Sequence, residues 1–134
     1  MNPLVHAKNS AKRWGGSPLD YIAVHEEMDG TSVAHGSIRH RAIYHNSWGI
    51  LQMEKIFGRS ITNSDGKVVC VRDIAREHVK EDLGRVPSLD DWLNSIPFEP
   101  WMTGAPRYRE VFSTLTDNDQ RNKDSKDTNE RQIQ

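Results

Sequence analysis

Apolar residues recur at helical spacing over most of the first hundred positions, and turn-forming residues separate the runs. Residues 4–13 form a first short helix, stopped by Gly15-Gly16. Ser17-Pro18-Leu19-Asp20 is a helix start: Ser17 suits the N-cap, Pro18 the first helical position, and Asp20 completes a capping box. That helix runs to Met28, and Asp29-Gly30 closes it. A longer helix is predicted over 37–57, with Gly58 as its C-cap. Ile61-Thr62 and Val68-Val69-Cys70-Val71 flank Asn63-Ser64-Asp65-Gly66-Lys67, so the pattern switches to a β-hairpin at about 60–71. Helices over 72–83, ended by Gly84, and over 89–96, capped by Ser88, complete the series. Pro97 and Pro100 prevent any continuation of the last helix, and Trp92, Phe98 and Trp101 are expected to pack back on the body. The expected fold is mainly α: a small bundle of four to five helices with one short hairpin over residues 1–104. Residues 105–134 form a charged tail. From Asp117 onward it has no apolar periodicity and is expected to be disordered.

A helical wheel at about 100° per residue locates the histidines. On the helix over 18–28, Tyr21, Val24 and Met28 define the apolar face, His25 lies beside it, and Asp29 follows one turn on. On the helix over 72–83, His78 and Asp82 fall inside the arc of Val71, Ile74, Ala75 and Val79. Each helix thus turns a His-x-x-x-Asp pair inward, and side chains at i and i+4 lie on one face, as two ligands of one metal require. An inward carboxylate needs a cation, a histidine or several donors, because burying it unpaired costs several kcal/mol. In the long helix, Arg39 and Asn46 fall near the middle of the apolar arc. His45 lies at one margin and His40 beyond the other, about 140° apart. His6 stands alone on the first helix, and His35 lies in a surface loop.

Composition narrows the classes. One hundred and thirty-four residues make one domain, and a net charge of −1 gives no basic footprint for specific nucleic-acid binding. A single cysteine excludes an internal disulfide or a CxxC zinc module and fits a reducing, cytoplasmic setting; in its apolar strand, Cys70 reads as a buried inert thiol. No apolar run approaches the ~18 residues of a membrane span. Asn63-Ser64-Asp65-Gly66 is not an EF-hand, since Ile61 and Arg72 occupy ligand positions of that loop. Trp14-Gly15-Gly16 lacks the Gly-Lys-Ser/Thr of a phosphate loop, and no G-x-S-x-G elbow is present.

From His6 to about Trp101 the chain resembles an uncharacterised family of small bacterial and phage proteins. The resemblance is carried by Lys12-Arg13-Trp14-Gly15-Gly16, Asp20-Tyr21 through His25, Arg39-His40-Arg41-Ala42 with His45-Asn46, and Phe57-Gly58. It continues through Ile61-Thr62-Asn63-Ser64-Asp65-Gly66-Lys67, Val71-Arg72-Asp73-Ile74, His78-Val79, Glu81-Asp82-Leu83-Gly84 and Trp92-Leu93. It implies a bacterial or viral cytoplasmic setting and brings no activity with it. After Asp29 the family pattern has a Ser-Lys pair where this chain has Gly30-Thr31-Ser32. The arrangement is also loosely similar to HD-type metal phosphohydrolases, but the adjacent His-Asp dipeptide of those enzymes is missing here.

These residues point to a metal-binding helical domain, of a hydrolase type acting on a phosphate ester or nucleotide. His25, Asp29, His78 and Asp82 are the candidate ligands of a divalent Zn, Mn or Fe ion, with His45 as a fifth. His40 and His45 are candidate catalytic groups. Arg39, Arg41 and Asn46 are candidates to read an anionic group. The alternative is a non-catalytic bacterial or phage protein that sequesters an anionic, nucleotide-like ligand or inhibits a host protein. A third reading leaves the His–Asp pairs as a buried hydrogen-bond network. Base rates alone place a homodimer among the expected assemblies.

Overall fold

The computed structural model describes residues 1–104, so the expected tail over 105–134 lies outside the described residues. The architecture is mainly helical with one two-stranded antiparallel hairpin. The helices are α1 (Pro3–Trp14), α2 (Ile22–Asp29), α3 (Arg41–Tyr44), α4 (Ser47–Phe57), α5 (Val71–Leu83) and α6 (Leu89–Leu93). Strands β1 (Ser60–Thr62) and β2 (Val68–Cys70) pair Ile61 with Val69. The chain divides into a unit over Met1–Ser95, which holds all of these, and a second unit beginning at Ile96, of which the described part is a 3-10 turn, Pro100–Thr103. No helix among the described residues is long and apolar enough to cross a membrane.

The first unit is built on α5, whose apolar face of Val71, Ile74, Ala75 and Val79 is fully buried. It packs against α1, α2 and α4, which contribute Ala7, Val24, Met28, Ile50 and Met53. Polar staples hold the ends together. The capping box of Ser17 and Asp20 forms as the sequence predicts, but it starts a 3-10 turn (Pro18–Asp20) and not α2 itself. Asp20 Oδ2 also accepts from Ser64 N and Ser64 Oγ at 2.9 and 2.6 Å, which ties the hairpin loop to that turn. Asn63 donates to Trp14 O and Tyr21 Oη, and Asp65 accepts from Gly16 N. Gly16 sits at φ +73°, and a Cβ there would meet the Asp20 carboxylate and Asn63 Cβ. The Asn63–Lys67 loop is therefore a clasp made of its own polar side chains.

Several sequence expectations change. The helix expected over 89–96 ends at Leu93, and Phe98 and Trp101, expected to be packed, are exposed. Cys70 is exposed, because the period of two along β2 sends Val69 inward and Val68 and Cys70 outward. The helix expected over 37–57 is broken at His45-Asn46. Asn46 is extended (φ −158°, ψ 171°) and serves as N-cap of α4, its Oδ1 accepting from Gly49 N at 2.8 Å. Its Nδ2 donates to Ala42 O and Ile43 O, so the amide ties two short helices across the break. The break is tight: a Cβ on Gly49 would lie 1.9 Å from Tyr44 O. Trp92 of α6 seals it by donating from Nε1 to His45 O at 2.9 Å, and Ser47 N bonds Pro87 O.

An ordinary glycine-to-alanine change inside a helix stabilises by about 1 kcal/mol. Gly49→Ala should do the reverse and lower stability by about 1–3 kcal/mol, because the backbone at Tyr44 must move. A urea titration of both proteins reads the sign directly, and a Gly49→Ala variant as stable as the parent would show that the break is not tight.

Candidate metal centre

Four helical segments send polar side chains into one largely buried cluster. His6 comes from α1, His25 and Asp29 from α2, His45 from the break after α3, and His78, Glu81 and Asp82 from α5. The four histidine side chains and Asp82 are at most 1 % exposed, whereas Asp29 is 18 % exposed. The break places His45 here. At φ −79°, ψ 61° its backbone leaves the helix, and the ring swings from the margin of the arc into the core.

Within the cluster, four donors form a ring. His45 Nε2 lies 2.9 Å from Asp82 Oδ2 and 3.5 Å from Asp29 Oδ1. His78 Nε2 lies 3.1 Å from Asp29 Oδ1 and 3.4 Å from Asp82 Oδ2. A tetrahedral ion with bonds of about 2.0–2.2 Å holds its ligand atoms about 3.4 Å apart. The edges of 3.4 and 3.5 Å equal that spacing, and those of 2.9 and 3.1 Å are hydrogen bonds that would open slightly around an ion. The rings of His45 and His78 meet at 71°, which lets both lone pairs converge. Two neutral imidazoles and two carboxylates would balance the charge of a divalent cation within the ring.

A second trio, His6, His25 and His78, also brings its nitrogens within 4.8 Å. Ring geometry argues against a metal there. A metal lies in the plane of each imidazole it binds, along the nitrogen lone pair. His6 is stacked on His78, with centroids 3.8 Å apart and planes inclined by 25°, and it is inclined by 18° to His25. Stacked rings cannot aim their lone pairs at one point. This trio is a stack plus a hydrogen bond: His25 Nδ1 to His78 Nδ1 at 2.8 Å, with His25 Nε2 to Ser10 Oγ at 2.8 Å.

The remaining polar contacts surround Asp82 Oδ1. His6 Nε2 is 3.3 Å away without a well-formed hydrogen bond, the amino nitrogen of Met1 is 3.2 Å away, and Arg41 Nη2 is 3.7 Å away. The other nitrogen of His6 meets Glu81 Oε2 at 2.5 Å. His45 Nδ1 is buried with no hydrogen-bond partner among the described residues.

Of the sequence-based set, the structure brings His78, Asp82 and Asp29 within reach of one another. His45 joins them, and His25 turns to a supporting position behind His78. His40 stands at the edge, bonded through Nδ1 to Thr31 Oγ1 at 3.0 Å and edge-on to His45. Arg41 reaches Asp82, whereas Arg39 is exposed. Asn46 is withdrawn from ligand reading, because both ends of its amide are used in the cap. The sequence-based set omits His6 and Ser10. Their spacing of four on a face shared with Ala7 is the available signal.

Protonation follows this geometry. Burial, with His78 and His6 close by, pushes His25 down to about 3, and burial also lowers His45 despite its bond to Asp82. Burial alone would lower His78 too, but its bonds to Asp29 and Asp82 hold it above its usual value. Burial works to raise Asp29 and Asp82, and their histidine partners outweigh it and hold both below the usual carboxylate range. A histidine lowered in the folded state costs stability once the unfolded chain can take its proton, that is, below pH 6.5 and, for His25, down to about 3. His78 adds stability on the acid side of its raised value, and this gain is complete by pH 6.5. The two carboxylates begin to lose theirs only near pH 3.8. Metal-free protein should therefore lose stability from pH 6.5 to about 4.5, with His25 contributing up to roughly 1.4 kcal/mol per pH unit and His45 adding in the same direction. Chemical denaturation across that range should show the slope reduced in His25→Phe. An unchanged slope would mean that His25 is not held neutral.

The chain belongs to the family described as domain of unknown function DUF6915, whose model matches residues 1–102. No curated protein and no solved structure matches it.

Proposed function

We propose that this member of a family of unknown function is a divalent-metal protein, with His45, His78, Asp29 and Asp82 holding one ion in the helical core. The observation that carries the reading is the closed ring of two imidazole nitrogens and two carboxylate oxygens, with edges of 2.9–3.5 Å. An N/O donor set of this kind suits Zn, Mn or Fe, and among these zinc binds most tightly at a given site.

The reading extends to hydrolysis of an anionic substrate, with a phosphate ester as the substrate class. Asp29 is the one ligand with appreciable exposure, so water reaches the centre from its side. A divalent ion held by these four donors would need a fifth coordination position on the Asp29 side for a water, whose pKa it would lower toward neutrality. Arg41, 17 % exposed and beside Asp82, is placed to attract the anion, and His40 at the edge of His45 is placed to move a proton.

Protein purified without chelator should carry one equivalent of metal by elemental analysis. His78→Ala and Asp82→Asn should lose it, each lowering zinc affinity by at least about 100-fold, since each removes a direct ligand. Protein that stays metal-free after incubation with Zn, Mn and Fe(II) would overturn the proposal. A metal-loaded chain that cleaves p-nitrophenyl phosphate esters, with turnover lost in Arg41→Ala at unchanged metal content, supports the hydrolytic extension. No turnover with any ester restricts the function to metal binding.

A further inference from the structure

A linear chain leads away from the four-donor ring through His78: Ser10 Oγ, His25 Nε2, His25 Nδ1, His78 Nδ1, His78 Nε2. Both hydrogen-bonded links measure 2.8 Å. Ser10 is 3 % exposed, and both rings are fully buried. The chain runs from the interior face of α1 through α2 to α5 and ends at the atom that faces Asp29 and Asp82.

We infer that His25 is a positioning residue that fixes the tautomer and orientation of His78, so that His78 Nε2 presents its lone pair to the metal. The inference rests on the metal centre proposed above. A contact of 2.8 Å between two ring nitrogens holds one proton, since two lone pairs would repel and two N–H groups would collide. When His78 binds through Nε2, the neutral ring carries its proton on Nδ1 and donates it to His25 Nδ1. His25 then carries its own proton on Nε2 and donates it to Ser10 Oγ. Ligation at one end thereby sets the direction of every hydrogen bond to the other end. In the reversed direction His78 carries its proton on Nε2, where it blocks coordination.

The device has two consequences. His25 accepts at its Nδ1, a role that a carboxylate or a backbone carbonyl fills behind most metal-bound histidines. An imidazole in that role adds no charge to a core that already holds Asp29, Asp82 and Glu81. The stack of His6 on His78 clamps the His78 ring from its face, while His25 fixes it at its edge.

The test uses full-length protein, zinc alone as the probe, and three variants. His25→Phe removes the acceptor at similar volume. His25→Asn keeps an amide oxygen near the Nδ1 position. Ser10→Ala cuts the far end. Zinc affinity, read by competition with a chromophoric chelator, should fall about 10- to 100-fold in His25→Phe, recover most of that loss in His25→Asn, and fall least in Ser10→Ala. Long-range ¹H–¹⁵N spectra of the zinc-loaded parent should show the proton of His78 on Nδ1 and that of His25 on Nε2. If the parent binds zinc while His25→Phe binds it equally well, or if His25 carries its proton on Nδ1 in the loaded protein, the relay is overturned and the metal centre stands. If the parent takes up no zinc, the centre and the relay fall together. A loss in His25→Phe that is not recovered in His25→Asn, in a protein of normal thermal stability, also overturns the acceptor role.

Discussion

The burial of Asp82 is the constraint around which the first unit is arranged. Its carboxylate is 1 % exposed, and an ionised carboxylate taken from water costs several kcal/mol unless it is surrounded by partners. The partners come from two separate segments besides its own helix neighbour, α1 with the amino terminus and α3 with the break that follows it. One oxygen faces His45 and His78, and the other faces His6 and Arg41. Each contact fixes the position of a segment relative to α5, so the polar cluster orders the helices while the apolar contacts of Ile74, Ala75 and Val79 hold them together. The direction of the pKa shift agrees with this: the histidine partners hold Asp82 ionised against the opposing effect of burial.

Which segments can reach Asp82 depends on a local accident of the chain. A continuous helix over 37–57 would leave His45 at the margin of the apolar arc. The Asn46 cap breaks that helix, Gly49 allows the close approach to Tyr44, and Trp92 locks the freed carbonyl of His45. The cost of the break is met by hydrogen bonds to the backbone groups it exposes. The geometry of the centre thus depends on Asn46, Gly49 and Trp92, none of which touches the four donors.

This dependence explains which parts of the site are legible in the sequence. The pair at His78 and Asp82 is legible because α5 is an unbroken helix with a clear apolar face, and i, i+4 spacing survives in it unchanged. Asp29 is legible for the same reason at the end of α2. The hairpin and the Ser17–Asp20 box are legible from turn chemistry. His45 is not, because a hydrophobic periodicity continuing through Asn46-Ser47 hides a cap that is only about two residues wide. His6 and the role of His25 behind His78 are not, because a wheel gives the face of each helix but not the rotation of neighbouring helices about their axes. The exposure of Cys70 is readable from strand alternation, which the apolar character of the whole run obscures.

A cluster kept only to hold the fold together would satisfy its own members, since each buried polar atom left unpaired costs about 1–3 kcal/mol. Here His45 Nδ1 and His6 Nε2 lack hydrogen-bond partners among the described residues. With no cation at the centre, His45 places its single proton on Nε2 to meet Asp82, and Nδ1 is a bare acceptor. With a cation at Nε2 the proton moves to Nδ1, a buried donor that is equally unpaired, so this atom does not separate the two readings. Without a cation, Asp29, Asp82 and Glu81 are faced by two cationic groups besides the histidines, the Arg41 guanidinium and the amino group of Met1, both at Asp82 Oδ1. A divalent ion in the ring offsets two of those charges at once and gives His45 Nε2 and His78 Nε2 a common partner. The convergence of four donor atoms from three segments is what supports the metal reading; the unpaired atoms of His45 and His6 lie outside the ring and favour neither reading.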